Sequence, residues 1–421
     1  MEKIKIYRTS NVFVPGGFPE LTYNPRPEKK LEETLKETKD NLCKLVMVTG
    51  LTKSGKTVLT NSIYPQYESV WFNGGTFSSE DEFWSDIAEQ LEIFSDTTIS
   101  DNSEKTNQGE FNAGAGAQLV LFKFEGGAKY THAVKKGKTT VRSRKGNPKT
   151  LALQELKRKK KPLIIDDFHY LPRDKQASIV RAVKALIFDG TPVIFIAIPH
   201  RRLDAVKVER EMTGRVKTIN VPVWEKSELK LIPEIGFPLL NIKTNESIVN
   251  RFSNEAIGSP HLMQEFCREL CNLYNVKETT SEEFVIDKID FKLLFSNIAE
   301  NTGKVIFDKL VKGPRQRTDR VERKLANGNT TDIYGLVLFA LADLKPGIEK
   351  IDYEVLRSKI REISAGNPPQ AHEVSRVLDK ISQIAASDES STPVIDWEKE
   401  ERILHVTDPF FAFYLRWGFE N

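Results

Sequence analysis

The segment GLTKSGKT, from Gly50 to Thr57, has the residue spacing of a phosphate-binding loop, G-x-x-x-x-G-K-[ST]. It lies between the apolar run 45–48 and a helical stretch, which is the strand–loop–helix context that such a loop requires. Gly50 and Gly55 let successive backbone N–H groups point at phosphate oxygens, while Lys56 supplies a cation and Thr57 a hydroxyl for Mg²⁺. The sequence therefore predicts ATP binding. The remaining side chains of the loop expected at this site are Thr52, Lys53 and Ser54.

A second apolar run ends in two carboxylates, in the segment PLIIDD from Pro162 to Asp167. Its unbroken apolar character predicts a strand that is buried on both faces of a parallel sheet. At the end of that strand, Asp166 is expected to hold Mg²⁺ through water. Asp167 is expected to orient the water that attacks the γ-phosphate. The two segments together predict an ATP-hydrolysing site that requires Mg²⁺.

Three segments make the chain resemble the AAA+/STAND group of P-loop ATPases. Besides the phosphate loop, they are IIDDFHYL (Ile164–Leu171), the lead-in TYNPRPEKKLEETL (Thr22–Leu35) and GSPHL (Gly258–Leu262). In that group a segment like this lead-in runs across the nucleotide base. The resemblance therefore implies that Tyr23 and Arg26 lie near adenine.

The same resemblance gives roles to Pro260 and His261, which would face the nucleotide from a second domain. Many AAA+ members carry an arginine where this chain has His261, and a histidine can still hydrogen-bond a phosphate. Asp167 is one methylene shorter than the glutamate that fast ATPases of the group usually carry. The shorter side chain predicts slow turnover, which suits a switch.

Two basic positions are candidates for sensing the γ-phosphate. His200, followed by Arg201, comes after the strand-like run VIFIAIP, where related ATPases place a polar sensor. Arg215 precedes another strand, in the region where AAA+ proteins place an arginine finger for a neighbouring subunit. Such an arginine accelerates hydrolysis by about 10³–10⁵. The resemblance thus implies a homo-oligomer; an ordinary surface arginine is the alternative for Arg215.

Length and composition agree with a multidomain globular protein. The chain has 421 residues, 39% hydrophobic and 29% charged, which predicts two or three domains. No apolar run approaches the roughly 18 residues that span a bilayer, and the first residues have no signal-peptide core. Three cysteines suit a reducing compartment, and we expect Cys267 and Cys271 to be buried rather than to bind zinc. These features predict a cytoplasmic protein without a membrane segment.

The order of apolar patterns predicts an α/β fold with four parts. They are an N-terminal arm (1–41), a P-loop ATPase domain with a parallel three-layer sheet (42–223), a helical lid without strands (224–298) and a winged-helix domain (299–421). Alternating strands and helices favour the parallel sheet. We expect its strands at Leu45–Thr49, Ser69–Asn73, Leu163–Asp166, Pro192–Ile198 and Val216–Val221.

A long insertion is predicted inside the ATPase domain, at about 95–160. It contains alternating apolar residues that indicate a β-hairpin, and it becomes basic towards its end. Between Lys135 and Lys161 there are twelve Lys or Arg residues against one acid, Glu155. Such a cluster can bind nucleic-acid phosphates, or it can be a solvated loop. Lys157–Lys161 precede the Asp166 strand, so they should lie at the sheet end opposite ATP.

The C-terminal part has the pattern of a winged helix, with three helices before two short strands. The third helix, Gln370–Ala385, mixes acidic with basic residues on its polar face, whereas a DNA-reading helix is usually more uniformly basic. We therefore expect the module to pack on the ATPase core, as a winged helix does in STAND proteins. Contact with DNA is the alternative. The aromatic residues after Asp408 are expected to pack in the core.

The sequence thus predicts an ATP-binding, slowly hydrolysing switch that assembles with ATP and acts through an effector protein partner. The family resemblance points to prokaryotic defence or stress sensing. The alternative is a DNA-handling AAA+ ATPase, like origin-recognition or transposition regulators, which binds duplex through the basic insertion and the winged helix. Transfer of phosphate to a small molecule is disfavoured because no acceptor pocket is evident.

Overall fold

The structure is a computed structural model that describes residues 5–40, 42–77, 79–93, 96–101, 120–124, 127–134, 138–144, 146–198, 214–314, 320–348, 350–386 and 393–419. Of residues 96–144 only the backbone is described. The strands are β1 (Leu45–Gly50), β2 (Val70–Asn73), β3 (Asp96–Asp101), β4 (Val120–Phe124), β5 (Gly127–Val134), β6 (Lys138–Arg144), β7 (Leu163–Asp166), β8 (Val193–Ala197), β9 (Val216–Val221), β10 (Ile242–Thr244), β11 (Phe284–Ile286), β12 (Arg323–Lys324), β13 (Thr330–Thr331), β14 (Lys350–Asp352), β15 (Ile395–Glu398) and β16 (Ile403–Val406). The helices are α1 (Thr9–Val12), α2 (Leu31–Lys36), α3 (Lys56–Ile63), α4 (Glu80–Gln90), α5 (Pro148–Lys159), α6 (Arg173–Phe188), α7 (Lys226–Leu239), α8 (Glu246–Glu255), α9 (Pro260–Leu273), α10 (Phe291–Lys312), α11 (Ile333–Asp343), α12 (Tyr353–Ile363), α13 (Ala371–Ala386) and α14 (Pro409–Trp417).

The predicted ATPase domain is built on a five-stranded sheet in the order β2-β7-β8-β1-β9, with every neighbouring pair parallel. All five predicted strands are present, within one residue at each end. Successive side chains of β1 point to opposite faces. Leu45 and Met47 enter the core beneath α4, α5 and α6, whereas Val46 and Val48 enter the core beneath α2 and α3. The predicted three-layer α/β architecture is confirmed.

The insertion is shorter than predicted. Strands β3 to β6 form an antiparallel sheet in the order β3-β6-β5-β4, and the β4–β5 pair is the predicted hairpin. Residues 148–159 are not part of the insertion, because they form α5 and place Ala152 and Leu156 in the core of the ATPase domain. As expected, α5 leads into the start of β7, so its terminal lysines lie away from the carboxyl ends of the strands.

The region after the sheet contains two strands that the sequence pattern did not reveal. Strands β10 and β11 are each three residues long and pair in parallel, so the prediction of a lid without strands was wrong. Runs this short carry too little alternation to be detected. The N-terminal arm packs on this lid, because Phe13 contacts the ring of Phe237 and Thr9 donates to the carbonyl of Val276.

The C-terminal part contains the predicted helices α11, α12 and α13 and the two predicted strands, β15 and β16. Strand β14 completes a three-stranded antiparallel sheet in the order β14-β16-β15. The winged-helix assignment itself stays a prediction. The aromatic residues of α14 are buried, as expected. Cys267 and Cys271 are buried in α9. No described helix is long and apolar enough to cross a membrane.

The lid and the C-terminal part share one hydrophobic core. That core runs from Val12 and Phe13 of the arm through α7 to α14, while the sheet has the two separate cores named above. We call residues 224–419 the C-terminal body and residues 42–223 the sheet domain. Two bodies with separate interiors can change their relative orientation without breaking either core.

Candidate functional site

The predicted phosphate loop lies at the carboxyl end of β1, the central region of the sheet where open α/β folds bind ligands. Gly50 has no room for a side chain, since a Cβ there would lie 2.7 Å from the carbonyl oxygen of Val221. Gly55 has a φ of 90°, which a residue with a side chain adopts only under strain. Helix α3 begins at Lys56, so its N-terminal end faces the loop.

Lys56 lies inside the loop with only 9% of its surface exposed. Its Nζ atom donates to the carbonyl oxygen of Leu51 at 2.8 Å. Burial lowers the pKa of this ammonium group to about 8, although the charges of Asp166 and Asp167 act against that change. An anion bound beside Lys56 would offset the cost of its burial.

The two predicted magnesium residues meet. The hydroxyl of Thr57 donates to the Oδ2 atom of Asp166 at 2.7 Å. Burial and the neighbouring charge of Asp167 together raise the pKa of Asp166 to about 6. A hydroxyl and a carboxylate are hard oxygen ligands of the kind that Mg²⁺ takes beside nucleotide phosphates.

Asp167 is held by a partner that the sequence analysis did not identify. The side-chain amide of Asn73, the last residue of β2, donates to its Oδ2 atom at 3.1 Å. Asp167 itself has a φ of 53°, a conformation that costs a non-glycine residue about 1–2 kcal/mol. Burial raises its pKa, and the bond from Asn73 opposes that rise. The sequence feature that could have identified this partner is Asn73 itself, an amide residue at the end of the strand next to β7.

A cavity of about 330 Å³ connects these residues with the lead-in and the lid. It lies between the sheet domain and the C-terminal body. The predicted site residues that line it are Tyr23, Arg26, Thr52, Lys53, Ser54, Gly55, Lys56, Thr57, Asp166, Asp167, Pro260 and His261. The structure therefore brings together segments from all three parts of the chain that the resemblance selected.

The lead-in residues line the cavity in different ways. The Tyr23 hydroxyl is 3.3 Å from the Ser62 hydroxyl, and burial raises the pKa of this tyrosine. Arg26 forms a buried ion pair with Glu228, in which two guanidinium nitrogens donate at 2.9 and 2.8 Å. Its other donors bond to the carbonyl oxygens of Pro222 and Val223. The guanidinium of Arg26 is therefore engaged with protein groups.

Lys53 of the phosphate loop crosses the cleft to the C-terminal body. Its Nζ atom lies 3.2 Å from the Oδ2 atom of Asp408 and 3.7 Å from the centre of the Phe410 ring. The His261 ring packs edge-on against the same ring, with centroids 4.8 Å apart. Burial and the nearby charge of Lys53 lower the pKa of His261 to about 4, so this histidine is neutral at pH 7. The sequence analysis did not predict this contact.

The site fits a nucleotide on the evidence of two unsatisfied groups. The hydroxyl oxygens of Thr52 and Ser54 are buried and have no hydrogen-bond partner in the described part of the chain. Both belong to loop 50–57, and both residues line the cavity. Buried polar groups are normally satisfied, so donors left over inside a loop of this kind suit phosphate oxygens.

The two predicted γ-phosphate sensors have different outcomes. His200, with Arg201, lies outside the described residues. Arg215 is exposed and precedes β9, at the end of the sheet opposite the phosphate loop, where its carbonyl oxygen accepts from the N–H of Leu45. It therefore cannot reach the nucleotide site of its own chain.

A parallel sheet with a glycine loop after β1 and paired aspartates after β7 defines the P-loop ATPase class of fold. Comparisons by sequence add nothing to this, since no family model and no curated protein matches the chain. Solved structures do match. A Walker-type ATPase from Pyrococcus abyssi aligns with a TM-score of 0.52 at 13% identity, covering 92% of this chain and 94% of that one.

Other solved structures align over a similar length but less closely. Cdc6p from Pyrobaculum aerophilum gives a TM-score of 0.43 at 12% identity and 96% coverage of both chains. A STAND protein with a tetratricopeptide repeat sensor from Pyrococcus horikoshii gives 0.36 at 14% identity, covering 95% of this chain and 43% of that one. At these identities the comparison shows the fold alone, which is the α/β fold of a Walker-type ATPase and agrees with the predicted fold class.

Proposed function

We propose that this protein is an ATP-dependent molecular switch in which nucleotide binding changes how the C-terminal body sits on the sheet domain. The observation that carries the proposal is the contact of Lys53 with Asp408 across the cleft. A lysine of the phosphate loop is thereby shared between the nucleotide cavity and the C-terminal body. ATP with Mg²⁺ is the ligand that the loop and the Thr57–Asp166 pair suit best.

The residues divide into a binding set and a hydrolytic set. Lys56 and the backbone of loop 50–57 would hold the phosphates, and Thr57 with Asp166 would hold Mg²⁺, which neutralises phosphate charge. Asp167 would orient water, while Asn73 restrains its carboxylate. The short side chain of Asp167 and its restraint by Asn73 both support slow hydrolysis. Tyr23, Pro260 and His261 complete the walls of the cavity.

The conformation of Lys53 supports a role for its side chain. Lys53 has a φ of 59°, at which glycine is the residue without strain, so a lysine costs the loop about 1–2 kcal/mol. The contacts of this side chain with Asp408 and with the Phe410 ring offset that cost. A phosphate anion and the Asp408 carboxylate would compete for the same ammonium group. Linkage then requires that docking of the C-terminal body weakens nucleotide binding, and that nucleotide binding weakens this docking by the same factor.

Spin-label distance measurements test this coupling with a native cysteine. Cys43 is exposed on the sheet domain, and Val305, on α10 of the C-terminal body, is 84% exposed and suitable for replacement by cysteine. We expect the distance distribution between labels at these positions to shift when ATP binds to the slowly hydrolysing Asp167→Asn protein. Asp408→Asn should shift the nucleotide-free distribution in the same direction and raise ATP affinity about ten-fold, because a charge-assisted ion pair is worth about 1–2 kcal/mol.

The asparagine at 408 is chosen because it isolates the ion pair. The Oδ1 atom of Asp408 caps α14 by accepting from the N–H groups of Phe410 and Phe411, and asparagine caps as well as aspartate. Asp189→Asn is the matched control, since it removes an ion pair with Lys157 that lies away from the cleft. A single distance in all nucleotide states, or an unchanged ATP affinity of Asp408→Asn, would contradict the switch.

The proposal extends to assembly through Arg215. Because this arginine cannot reach its own site, it can act only on the nucleotide of another copy. We expect the Asp167→Asn protein to form higher oligomers with ATP than with ADP, and Arg215→Ala to weaken that assembly by about 1–3 kcal/mol while ATP affinity of the monomer stays unchanged. Light scattering at micromolar protein measures this. Lys44→Ala is the control, because it removes another exposed cation next to the same end of the sheet. A single molecular mass in every nucleotide state would contradict assembly and make the protein a monomeric switch.

The output of the switch is proposed to pass through a protein effector. The setting that the resemblance to STAND proteins suggests is prokaryotic defence or stress sensing. Purification of the Asp167→Asn protein with ATP from its native cell, followed by identification of bound proteins, tests this. A partner recovered equally with Lys56→Ala protein would be independent of the nucleotide and would contradict an ATP-gated effector.

A further inference from the structure

We infer that Trp224 is a positioning residue that aims a backbone donor of the phosphate loop at the nucleotide. The indole N–H of Trp224 donates to the carbonyl oxygen of Ser54 at 2.9 Å. Trp224 lies between β9 and α7, where the sheet domain passes into the C-terminal body. This inference rests on the proposed function, because it assigns a role in nucleotide binding.

The geometry of one peptide bond carries the argument. The carbonyl of Ser54 and the N–H of Gly55 belong to the same planar peptide, and the structure contains no cis peptide bond in its described part. In a trans peptide these two groups point in opposite directions. Trp224 holds the carbonyl on its own side, so the N–H of Gly55 is directed away from the indole. Gly55 lines the cavity, and no described protein group accepts from its N–H.

Gly55 needs such an external restraint. Because it has no side chain, Gly55 can populate more backbone conformations than the non-glycine residues of the loop, and here it has a φ of 90°. The Trp224 ring lies against it, since a Cβ atom on Gly55 would be 3.9 Å from the ring carbon Cζ2. The indole thus restricts the peptide in two ways, by a hydrogen bond and by contact. A donor fixed before the ligand arrives loses less entropy on binding.

Trp224 is itself held by the lid. The Arg26 guanidinium stacks over its ring at 4.7 Å, and Glu228 of α7 fixes Arg26 by two hydrogen bonds. The backbone N–H of Trp224 donates to the carbonyl oxygen of Gly258, in the segment GSPHL. Two elements of the C-terminal body therefore determine where the indole lies. A movement of that body would be transmitted to the Gly55 N–H through Trp224.

The test compares two tryptophans that make the same bond. Trp71 also donates its indole N–H to a backbone carbonyl at 2.9 Å, that of Tyr64, but it does not line the cavity. Trp224→Phe keeps an aromatic ring at this position but removes the indole N–H together with part of the ring surface beside Gly55, and Trp71→Phe makes the same chemical change away from the cavity. We expect Trp224→Phe to weaken ADP and ATP binding about ten-fold by titration calorimetry, which is the loss of one well-made hydrogen bond. Trp71→Phe should bind within about two-fold of the wild type.

Tryptophan fluorescence gives a second readout that a structural role alone would not change. We expect ADP to alter the emission of the wild-type and Trp71→Phe proteins and to leave the emission of Trp224→Phe unaltered at saturating ADP. Should Trp224→Phe fail to fold, an ADP-saturated wild-type protein without any emission change overturns the inference. Equal nucleotide affinity in the wild type and in folded Trp224→Phe also overturns it. A wild type that binds no nucleotide contradicts the proposed function instead.

Discussion

Replacement of Lys56 by alanine is expected to lower ATP affinity at least about 100-fold. Two charge-assisted hydrogen bonds to phosphate are each worth about 1.5–3 kcal/mol, and no other described lysine is as deeply buried in the loop. The protein should still fold, because alanine suits the first turn of α3 and the substitution removes a single hydrogen bond, from Nζ to the carbonyl oxygen of Leu51. Titration calorimetry with ATP in the presence of Mg²⁺ measures the effect.

The pKa of Lys56 adds a pH dependence to this prediction. Burial lowers the pKa of its ammonium group to about 8 in the nucleotide-free protein, and a bound phosphate would raise that pKa again. Near pH 7 the ammonium is largely charged and the Asp166 carboxyl, with a pKa of about 6, is largely ionised, so affinity should vary little there. Above pH 8 the free protein must first take up a proton, so affinity should fall as pH rises. An affinity that stays constant from pH 7 to pH 9.5, or ATP binding by Lys56→Ala equal to that of the wild type, would contradict the role of Lys56.

Local patterns were sufficient for the sheet and for the loop and carboxylate residues that line the cavity. Loop 50–57 and the pair Asp166–Asp167 were predictable because each is a continuous segment in which residue spacing fixes the chemistry. The α/β architecture followed from apolar runs long enough to require burial on both faces. Short strands such as β10 and β11 gave no such signal.

Contacts between distant segments could not be predicted from the sequence. Lys53 meets Asp408, and Asn73 meets Asp167, only because the sheet and the C-terminal body bring them together. Nothing in the spacing of these residues favours their pairing over any other. Arg26 illustrates the limit, since its position beside the cavity was predictable from the resemblance, whereas its ion pair with Glu228 depends on the packing of the lid. Sequence patterns therefore located the residues that line the cavity more readily than the contacts between them.

Asp167→Asn is expected to lower ATP turnover about 100-fold and to leave ATP affinity within about three-fold of the wild type. General-base and water-orienting groups typically contribute about 10²–10⁴-fold. Asparagine has nearly the same shape as aspartate, so it should keep the φ of 53° at this position, which asparagine tolerates well. Steady-state phosphate release and titration calorimetry measure the two quantities separately.

Asp166→Asn is the matched control, because it makes the same chemical change one residue earlier. Asp166 accepts from the hydroxyl of Thr57 and faces the expected Mg²⁺, so its replacement should weaken Mg²⁺-dependent ATP binding as well as turnover. Asp167 bonds instead to the amide of Asn73, which places it on the side of β2. The two variants should therefore differ in affinity while both lose turnover. Normal turnover in Asp167→Asn would assign the orientation of water to another residue, and equal loss of affinity in both variants would make the two carboxylates one metal site.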